Sequence, residues 1–382
     1  MTRLAGAQEE GRVEDAFRFA DELGPLMIVH IHRPSLGLKA VVAIDNTACG
    51  PSVGGVRMAP DVSTEEAFRL ARAMTLKNAA AGLPHGGGKS VIFGDPRMPR
   101  AQKERLIRGF AAAIRDLADY IPGPDMGTDE TAMAWIKDET GRSVGLPREL
   151  GGIPLDEIGA TGFGLAEAVD VAVGQIGLSL KGARVAVQGF GSVGIHAARY
   201  LGKKGTILVA ASDTQATIVD TDGLDIEALS ALKAAGRSVK EYPRGRVLDR
   251  DAVIDMPCDI WIPAARPDVI TAENVARLDT RIVAQGANIP CTPEAERALA
   301  VRGILVLPDF IANAGGVICA ATEYQQGTQS QAFAAIEEKI RANTMAVLAD
   351  AKRSGTLPRE AAVSLAVGRI RRAMQTRRWD SR

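Results

Sequence analysis

Cysteine and histidine are scarce in this chain of 382 residues, with four of each. Cys49, Cys258, Cys291 and Cys319 stand far apart and show none of the paired spacings that hold zinc or frame a disulfide scaffold, so they read as reduced thiols. His30 and His32 would share one face of a strand, but no carboxylate or third ligand stands at a suitable spacing, and no metal site is expected. Aromatic residues are only 4% of the chain, too few for aromatic platforms. Neither sign of charge dominates: 46 basic side chains face 46 acidic ones, which argues against nucleic acid or a membrane surface as partner. Charges interrupt every apolar run before it is long enough to span a bilayer, and the N-terminal stretch has no signal-like apolar core; a cytoplasmic protein is expected.

Glycine, in contrast, is plentiful at 40 residues, which points to tight turns and close backbone approaches. A length of 382 implies two to three domains at about 150 residues each. Residues 9–23 have amphipathic helical spacing, and LMIVHIHRP and LKAVVAIDNT read as an antiparallel strand pair turning at Gly37. Ser63-Thr-Glu-Glu is a capping box opening a helix that runs toward Ala81 and ends at Gly82 and Pro84. Another helix is expected over about 100–119, followed by a loop, YIPGPDMGT. From about residue 164 a short helix leads into a regular alternation in which ARVAVQ, TILVAAS, CDIWIP, RIVAQ and GILVLP read as buried parallel strands. The fold class is therefore α/β, with a mixed N-terminal part and a doubly wound, Rossmann-like part. Beyond Gly327 the chain reads as helical, with arginines 369, 371, 372, 377 and 378 on a solvated face.

The strand ARVAVQ runs directly into Gly189-Phe-Gly191-Ser192-Val193-Gly194 and then a helix. In a dinucleotide fold the first glycine makes the turn, the second admits the pyrophosphate, the third lets the helix pack, and the helix N-terminus faces the anion. Asp213 follows 24 residues after Gly189, near the position of a carboxylate that takes the adenosine ribose hydroxyls. Thr214, Gln215 and Ala216 bring no cation for a 2′-phosphate, so NAD is favoured over NADP.

The stretch MTLKNAAAGLPHGGGKS, residues 74–90, carries two lysines. It is not a phosphate loop, because Leu83 stands where the GxxxxGK[ST] pattern needs glycine. Lys77 taken alone could simply offset a helix dipole. Lys89, after three glycines, could meet a small substrate against bare backbone with its ammonium partly desolvated, which is what makes a lysine a usable base. Asp125, in Gly-Pro-Asp-Met-Gly-Thr, is compatible with a turn residue ahead of a helix capped by Thr128, and with a proton-transfer carboxylate.

Taken together, GPSVGGVRM (50–58), MTLKNAAAGLPHGGGKS (74–90), GPDMGT (123–128), GATGFG (159–164), GFGSVG (189–194), QGAN (285–288) and PDFIANAGGV (308–317) resemble the glutamate, leucine, phenylalanine and valine dehydrogenases. The series runs in order over nearly the whole chain. The resemblance implies NAD(P)-dependent oxidative deamination of an L-amino acid to a 2-oxo acid and ammonia by a homo-oligomer. It makes Lys77 the ligand of the substrate α-carboxylate, Lys89 the catalytic lysine and Asp125 the carboxylate that moves protons at the amino group. Gly54 and Gly55 would line the carboxylate; Thr161 and Asn288 would lie near the nicotinamide and its ribose; Asn313, Gly315 and Gly316 would shape the far wall. It implies a substrate-binding and oligomerisation domain of residues 1–150 plus a returning C-terminal helix of about 355–382. Residues 151–354 would form the NAD-binding domain, with a cleft between the two that closes on the substrate.

In glutamate-specific members a lysine stands at the position of Val53 and a serine at that of Ala320. Burying a carboxylate without such partners costs several kcal/mol. Val53, Gly123, Val317 and Ala320 instead suit an apolar side chain, branched or aromatic. Phe163 also replaces an arginine common in the glutamate branch, whereas PRELGGIPLDEIGATGFG resembles that branch and leaves Asp156 and Glu157 without an assigned role. Glutamate is the alternative substrate. A non-catalytic NAD-binding protein would have no need of Lys77, Lys89 and Asp125, and a 2-hydroxy-acid dehydrogenase would not need ammonium.

Overall fold

The computed structural model describes residues 17–376, which form two compact units. The first holds the residues up to Ala79, Leu83–Gly152 and the segment from Val367; the second holds Ala80–Gly82 and Ile153–Ala366. Of the helix expected over 9–23, only the end falls among the described residues, and there the chain makes turns and an isolated bridge between Asp21 and Gly24.

In the first unit, β1 (Met27–Arg33) and β2 (Leu38–Asn46) form the expected antiparallel pair, with Gly37 at φ 64° in the turn. β3 (Ser52–Ala59), α1 (Thr64–Ala80), β4 (Gly86–Phe93), α2 (Arg100–Ala113), β5 (Tyr120–Pro124) and α3 (Glu130–Thr140) follow. The sheet order is β1-β2-β4-β3-β5, and β3 runs parallel to both β4 and β5. Three of these strands are not apparent in the sequence: SVGGVRMA of β3 was given no element, YIPGP was expected to be loop, and GGGKS lies inside β4. Glycine is a poor strand former when judged alone. Here it is required, because a Cβ on Gly54 would sit 1.6 Å from the Gly88 oxygen and one on Gly87 would sit 2.0 Å from the Thr75 nitrogen. Backbone packs where side chains ordinarily would.

Strand alternation then sorts the residues. Val56, Met58, Ile92 and Tyr120 point to the face covered by Leu106, Ile107 and Phe110 of α2 and Met133 and Ile136 of α3. Residues of the other parity, Val53, Gly55 and Arg57 on β3, Gly87 and Lys89 on β4, and Ile121 and Gly123 on β5, share the opposite face with Asp125 just past the strand end. The hydrophobic part of that face, Val41, Ala43 and Val91, packs on Ala67 and Ala71 of α1. Arg142 fixes β5 at its root by donating to the backbone carbonyls of Ile114, Arg115, Leu117, Tyr120 and Thr140.

The second unit contains α4 (Ala160–Gln175), β6 (Arg184–Gln188), α5 (Ser192–Lys203), β7 (Ile207–Ser212), β8 (Thr217–Val219), α6 (Ile226–Ala234) and β9 (Arg246–Leu248). It continues with β10 (Ile260–Pro263), β11 (Ile282–Ala284), α7 (Pro293–Val301), β12 (Leu305–Leu307), α8 (Asp309–Ala312), α9 (Gly315–Tyr324) and α10 (Gln329–Ser354). The final helix, α11 (Pro358–Thr376), begins in this unit, and only its part from Val367 belongs to the first. The sheet order is β12-β11-β10-β6-β7-β8-β9. The five apolar runs expected to be parallel strands are the parallel part, and β8 and β9 extend it antiparallel. This is an α/β doubly wound unit. Among the described residues no helix is long and apolar enough to cross a membrane, and no group of metal-ligating side chains occurs. Two of the described arginines of α11 are engaged within the chain: Arg369 donates to the Ala79 carbonyl and Arg371 pairs with Glu22.

Candidate active site

Lys89 stands on the sheet face described above, 6% exposed, in an ion pair with Asp125. Gly55 lies beneath the pair: a Cβ there would come within 2.6 Å of the Asp125 Cβ and 3.1 Å of the Lys89 Nζ. Arg57, two residues along β3, donates from Nε to Asp125 Oδ2 at 3.1 Å and from Nη1 to Glu66 Oε1 of α1 at 2.6 Å. Burial lowers the pKa of Lys89 and outweighs the opposing pull of Asp125, so the ammonium gives up its proton more readily than an ordinary lysine. For Asp125 burial acts to raise the pKa, but Lys89 and Arg57 together win and hold it below the usual carboxylate range. The site thus contains an easily deprotonated amine beside a firmly ionised carboxylate.

Asp125 is no simple turn residue. Its backbone N–H donates to Thr128 Oγ1 at 3.0 Å, and that hydroxyl donates to the Val56 carbonyl at 2.8 Å, tying the segment to β3. The following helix is capped by Asp129, which accepts from the Ala132 N–H, and not by Thr128. Behind Lys89, the Tyr120 hydroxyl lies 2.9 Å from Ser90 Oγ and donates to the Gly54 carbonyl at 3.0 Å, fixing the glycine pair. Lys77 sits in the last turn of α1, next to Asn78, whose amide donates to the Gly86 carbonyl at 2.6 Å. Ser63 Oγ accepts the Glu66 N–H at the start of that helix.

In the second unit β6 leads into Gly189 at φ 92°, where Ala265 would block a Cβ at 2.6 Å, and α5 begins at Ser192. No atom lies within 4 Å of a Cβ built on Gly191, whereas one on Gly194 would meet the Gly189 oxygen at 2.2 Å. The second glycine therefore leaves open space and the third serves packing. First-turn N–H groups of α5, at Ser192, Val193 and Gly194, are of the kind a helix leaves for an outside acceptor. The GATGFG glycines let α4 pack closely: Gly162 abuts the Ala197 backbone of α5, and Gly164 lies against Gly315. Thr161 Oγ1 lies 3.0 Å from a Cβ built on Gly316, so the starts of α4 and α9 meet. Asn313 Nδ2 donates to Asn288 Oδ1 at 3.0 Å and more distantly to the Gly286 and Ala287 carbonyls. Its own Oδ1 is buried without a hydrogen-bond partner. An orphaned acceptor of this kind, with the glycine cradle, fits a nicotinamide dinucleotide and its carboxamide N–H.

Asp213 is held by donors from its own chain. Its Oδ1 accepts from the Gln215 and Ala216 N–H groups and the Ser238 hydroxyl, and its Oδ2 from Lys233 Nζ at 2.8 Å and the Val239 N–H. Burial acts to raise its pKa, but these donors prevail and bring it down to about 2. The carboxylate is already satisfied by its own chain, and the folded unit brings a lysine from α6 that adjacent sequence does not show.

Two family models match. One, described as Glutamate/Leucine/Phenylalanine/Valine dehydrogenase, covers residues 151–378, and the other, the Glu/Leu/Phe/Val dehydrogenase dimerisation domain, covers residues 28–142. The chain belongs to this dehydrogenase family. It is 38% identical over 362 residues to the NADP(+)-dependent glutamate dehydrogenase of Pyrobaculum calidifontis, covering 87% of this chain and 85% of that one. Among solved structures, the hetero-hexameric glutamate dehydrogenase of Thermus thermophilus in its leucine-bound form matches with a TM-score of 0.82 at 29% identity, over 97% of this chain and 96% of that one. L-tryptophan dehydrogenase of Nostoc punctiforme matches with a TM-score of 0.74 at 27% identity, over 95% and 99%. The protein is thus an amino acid dehydrogenase, an oxidoreductase that uses a nicotinamide dinucleotide.

Within the dehydrogenase, Val53, Gly55 and Gly123 lie on the same sheet face as Lys89, with Gly55 opposite Gly123 in register, while Val317 and Ala320 lie on α9. Phe163 packs edge-on to Tyr200 and Phe333, with centroids 5.1 and 4.9 Å away. The Asp156 carbonyl lies 3.4 Å from Ser192 Oγ, at the start of the dinucleotide helix. Sequence reasoning missed Arg57, Glu66 and Tyr120. The signal for Arg57 was available in GPSVGGVRM, where it stands two residues after Gly55 and so on the same face.

Proposed function

We propose that this dehydrogenase deaminates an apolar L-amino acid, branched or aromatic, reversibly to its 2-oxo acid and ammonia, with NAD as the preferred dinucleotide. The observation that carries the substrate reading is Val53, a buried apolar side chain on the face of Lys89 and Asp125 where a glutamate-directed site needs a cation. That a structural neighbour is titled L-tryptophan dehydrogenase supports it, and the glutamate names of the sequence relatives make glutamate the competing substrate.

The L-amino acid, one water and one oxidised dinucleotide give the 2-oxo acid, ammonium, the reduced dinucleotide and one proton. Lys77 takes the substrate α-carboxylate, and Gly54 and Gly55 let it come down onto the backbone. Thr161, Asn288 and Asn313 would hold the nicotinamide, which would supply the acceptor for the hydride leaving Cα. Lys89, as the neutral amine, removes a proton from the water that attacks the iminium carbon. Asp125 takes a proton from the amino group and returns it to the departing ammonia. Gly189, Gly191, Ser192, Val193 and Gly194 receive the pyrophosphate.

Asp213, with five donors on it, has little acceptor capacity left for ribose hydroxyls, and Lys233 is spent on Asp213. The preference for NAD is accordingly modest, and NADP is also used. A homo-oligomer built through the first unit is part of the proposal, supported by the dimerisation-domain match over 28–142. Four cysteines outside any disulfide fit a cytoplasmic setting.

The deciding experiment is an initial-rate panel with NAD and each L-amino acid, repeated in reverse with NADH, 2-oxo acids and ammonium. Leucine, valine, phenylalanine or tryptophan turned over best supports the reading. Glutamate best, with these inert, overturns the substrate assignment; reduction that ignores ammonium overturns the reaction class.

A further inference from the structure

Arg57 donates from Nε to Asp125 Oδ2, the same oxygen that Lys89 pairs with. Arg57 is itself held from the other side, because Glu66 accepts from Nη1 at 2.6 Å and Glu66 is fixed at the capped first turn of α1. A continuous polar path therefore runs from Ser63 through Glu66 and Arg57 to Asp125 and Lys89. We propose that Arg57 is a positioning residue for the reaction: it pins Asp125 by Oδ2, so that Oδ1 is the oxygen that exchanges protons with the substrate amino group. This rests on the deamination reading above.

A carboxylate that shuttles protons needs a defined direction and must be ionised at the start of each turnover. Without Arg57 the side chain could rotate about its Cβ–Cγ bond and present either oxygen, with only Lys89 to orient it. Lys89 cannot do that alone, since it must give up its charge to serve as base. Arg57 keeps its charge throughout. The assignment therefore separates two duties, a fixed cation that orients and a titrating one that reacts.

The charged and titratable groups acting on Asp125 are Arg57 from β3, Lys89 from β4 and Tyr120 from its own strand, with Glu66 of α1 acting on both Arg57 and Lys89. Removing the Arg57 charge lets the Asp125 carboxyl hold its proton to higher pH. It also relieves the like-charge effect on Lys89, which raises that pKa as well. Both changes move the acid limb of the oxidative pH–rate profile upward.

The test is the pH dependence of kcat/KM for amino acid oxidation in wild type, Arg57→Met, Arg57→Lys and Arg57→Gln, with dinucleotide KM measured alongside. Arg57→Met should shift the acid limb up by at least about one pH unit and lower kcat at least about tenfold, leaving dinucleotide KM within about twofold. Arg57→Lys should return the limb most of the way to its wild-type position. An unmoved limb in Arg57→Met, whatever the drop in rate, would reduce Arg57 to a structural role and overturn the inference. If that variant does not fold, Arg57→Gln, which keeps a polar side chain but removes the charge, must shift the limb in the same direction, and an unmoved limb there overturns it equally. Failure of the deamination reading is distinct: wild type itself would then show no amino-acid-dependent reduction.

Discussion

Gly54 lies so close to Gly88 that a Cβ on Gly54 would sit 1.6 Å from the Gly88 carbonyl oxygen. Both residues belong to strands flanking the Lys89 face, so the closeness is built into the sheet that carries the site. Gly54→Ala must push β3 from β4, an overpacking change that costs about 1–3 kcal/mol or more. We expect a lower Tm and loss of amino acid oxidation together. Gly191→Ala is the contrasting case, since a Cβ there meets nothing within 4 Å. Its Tm should stay within about 2 °C of wild type while KM for the dinucleotide rises at least about tenfold, because only an incoming pyrophosphate needs that space.

Lys89 offers a second test, through its charge state. A buried amine with lowered pKa must be neutral to activate water, so kcat/KM for oxidation should rise with pH and level off below the ordinary lysine range of about 10.4. Lys89→Ala should bind dinucleotide normally, by fluorescence titration, and lose at least about a hundredfold in kcat. A variant retaining near-normal kcat would exclude Lys89 from the chemistry.

How much of this was open to sequence reasoning follows from what each segment buries. The second unit's strands were legible because runs such as RVAVQ and ILVAAS bury side chains on both faces, and apolar side chains are what a sequence displays. β4 was not, because its first half is glycine and its neighbours are backbone atoms. β5 was hidden for a related reason: YIPGP has two prolines and a glycine, yet Arg142, 22 residues on, holds the start of the strand by the Tyr120 carbonyl. In the site, Lys89 and Asp125 were marked by the glycines around them, and the structure brings them into an ion pair. The five donors on Asp213 come partly from Lys233, Ser238 and Val239, which only the folded chain places there.

The Asp213 cluster has a consequence for acid stability. The folded pKa, about 2, lies below the unfolded value, so the ionised carboxylate contributes stability that is present above pH about 4 and is lost as pH falls through about 2. With partial exposure taken into account, the contribution is on the order of 1 kcal/mol. Urea unfolding of wild type and Asp213→Asn across pH 6 to about 2 should show a stability gap that narrows toward the acid end. A gap constant with pH would mean that the charge of Asp213 plays no part.

Dinucleotide preference depends on the same pair. Lys233 neutralises Asp213 and takes one side of Oδ2, so the wild-type enzyme should favour NAD over NADP by less than about a hundredfold in kcat/KM, under 3 kcal/mol. Lys233→Met removes that cation and returns a negative charge and a vacant acceptor site to the end of β7. The freed carboxylate should accept a ribose hydroxyl and repel a 2′-phosphate, and the NAD to NADP ratio should rise at least about fivefold. Steady-state kinetics with both dinucleotides at saturating amino acid measures the ratio directly. If it is unchanged in a well-folded variant, the adenosine ribose lies away from Asp213, and the residue serves only to fasten the β7–β8 turn to α6.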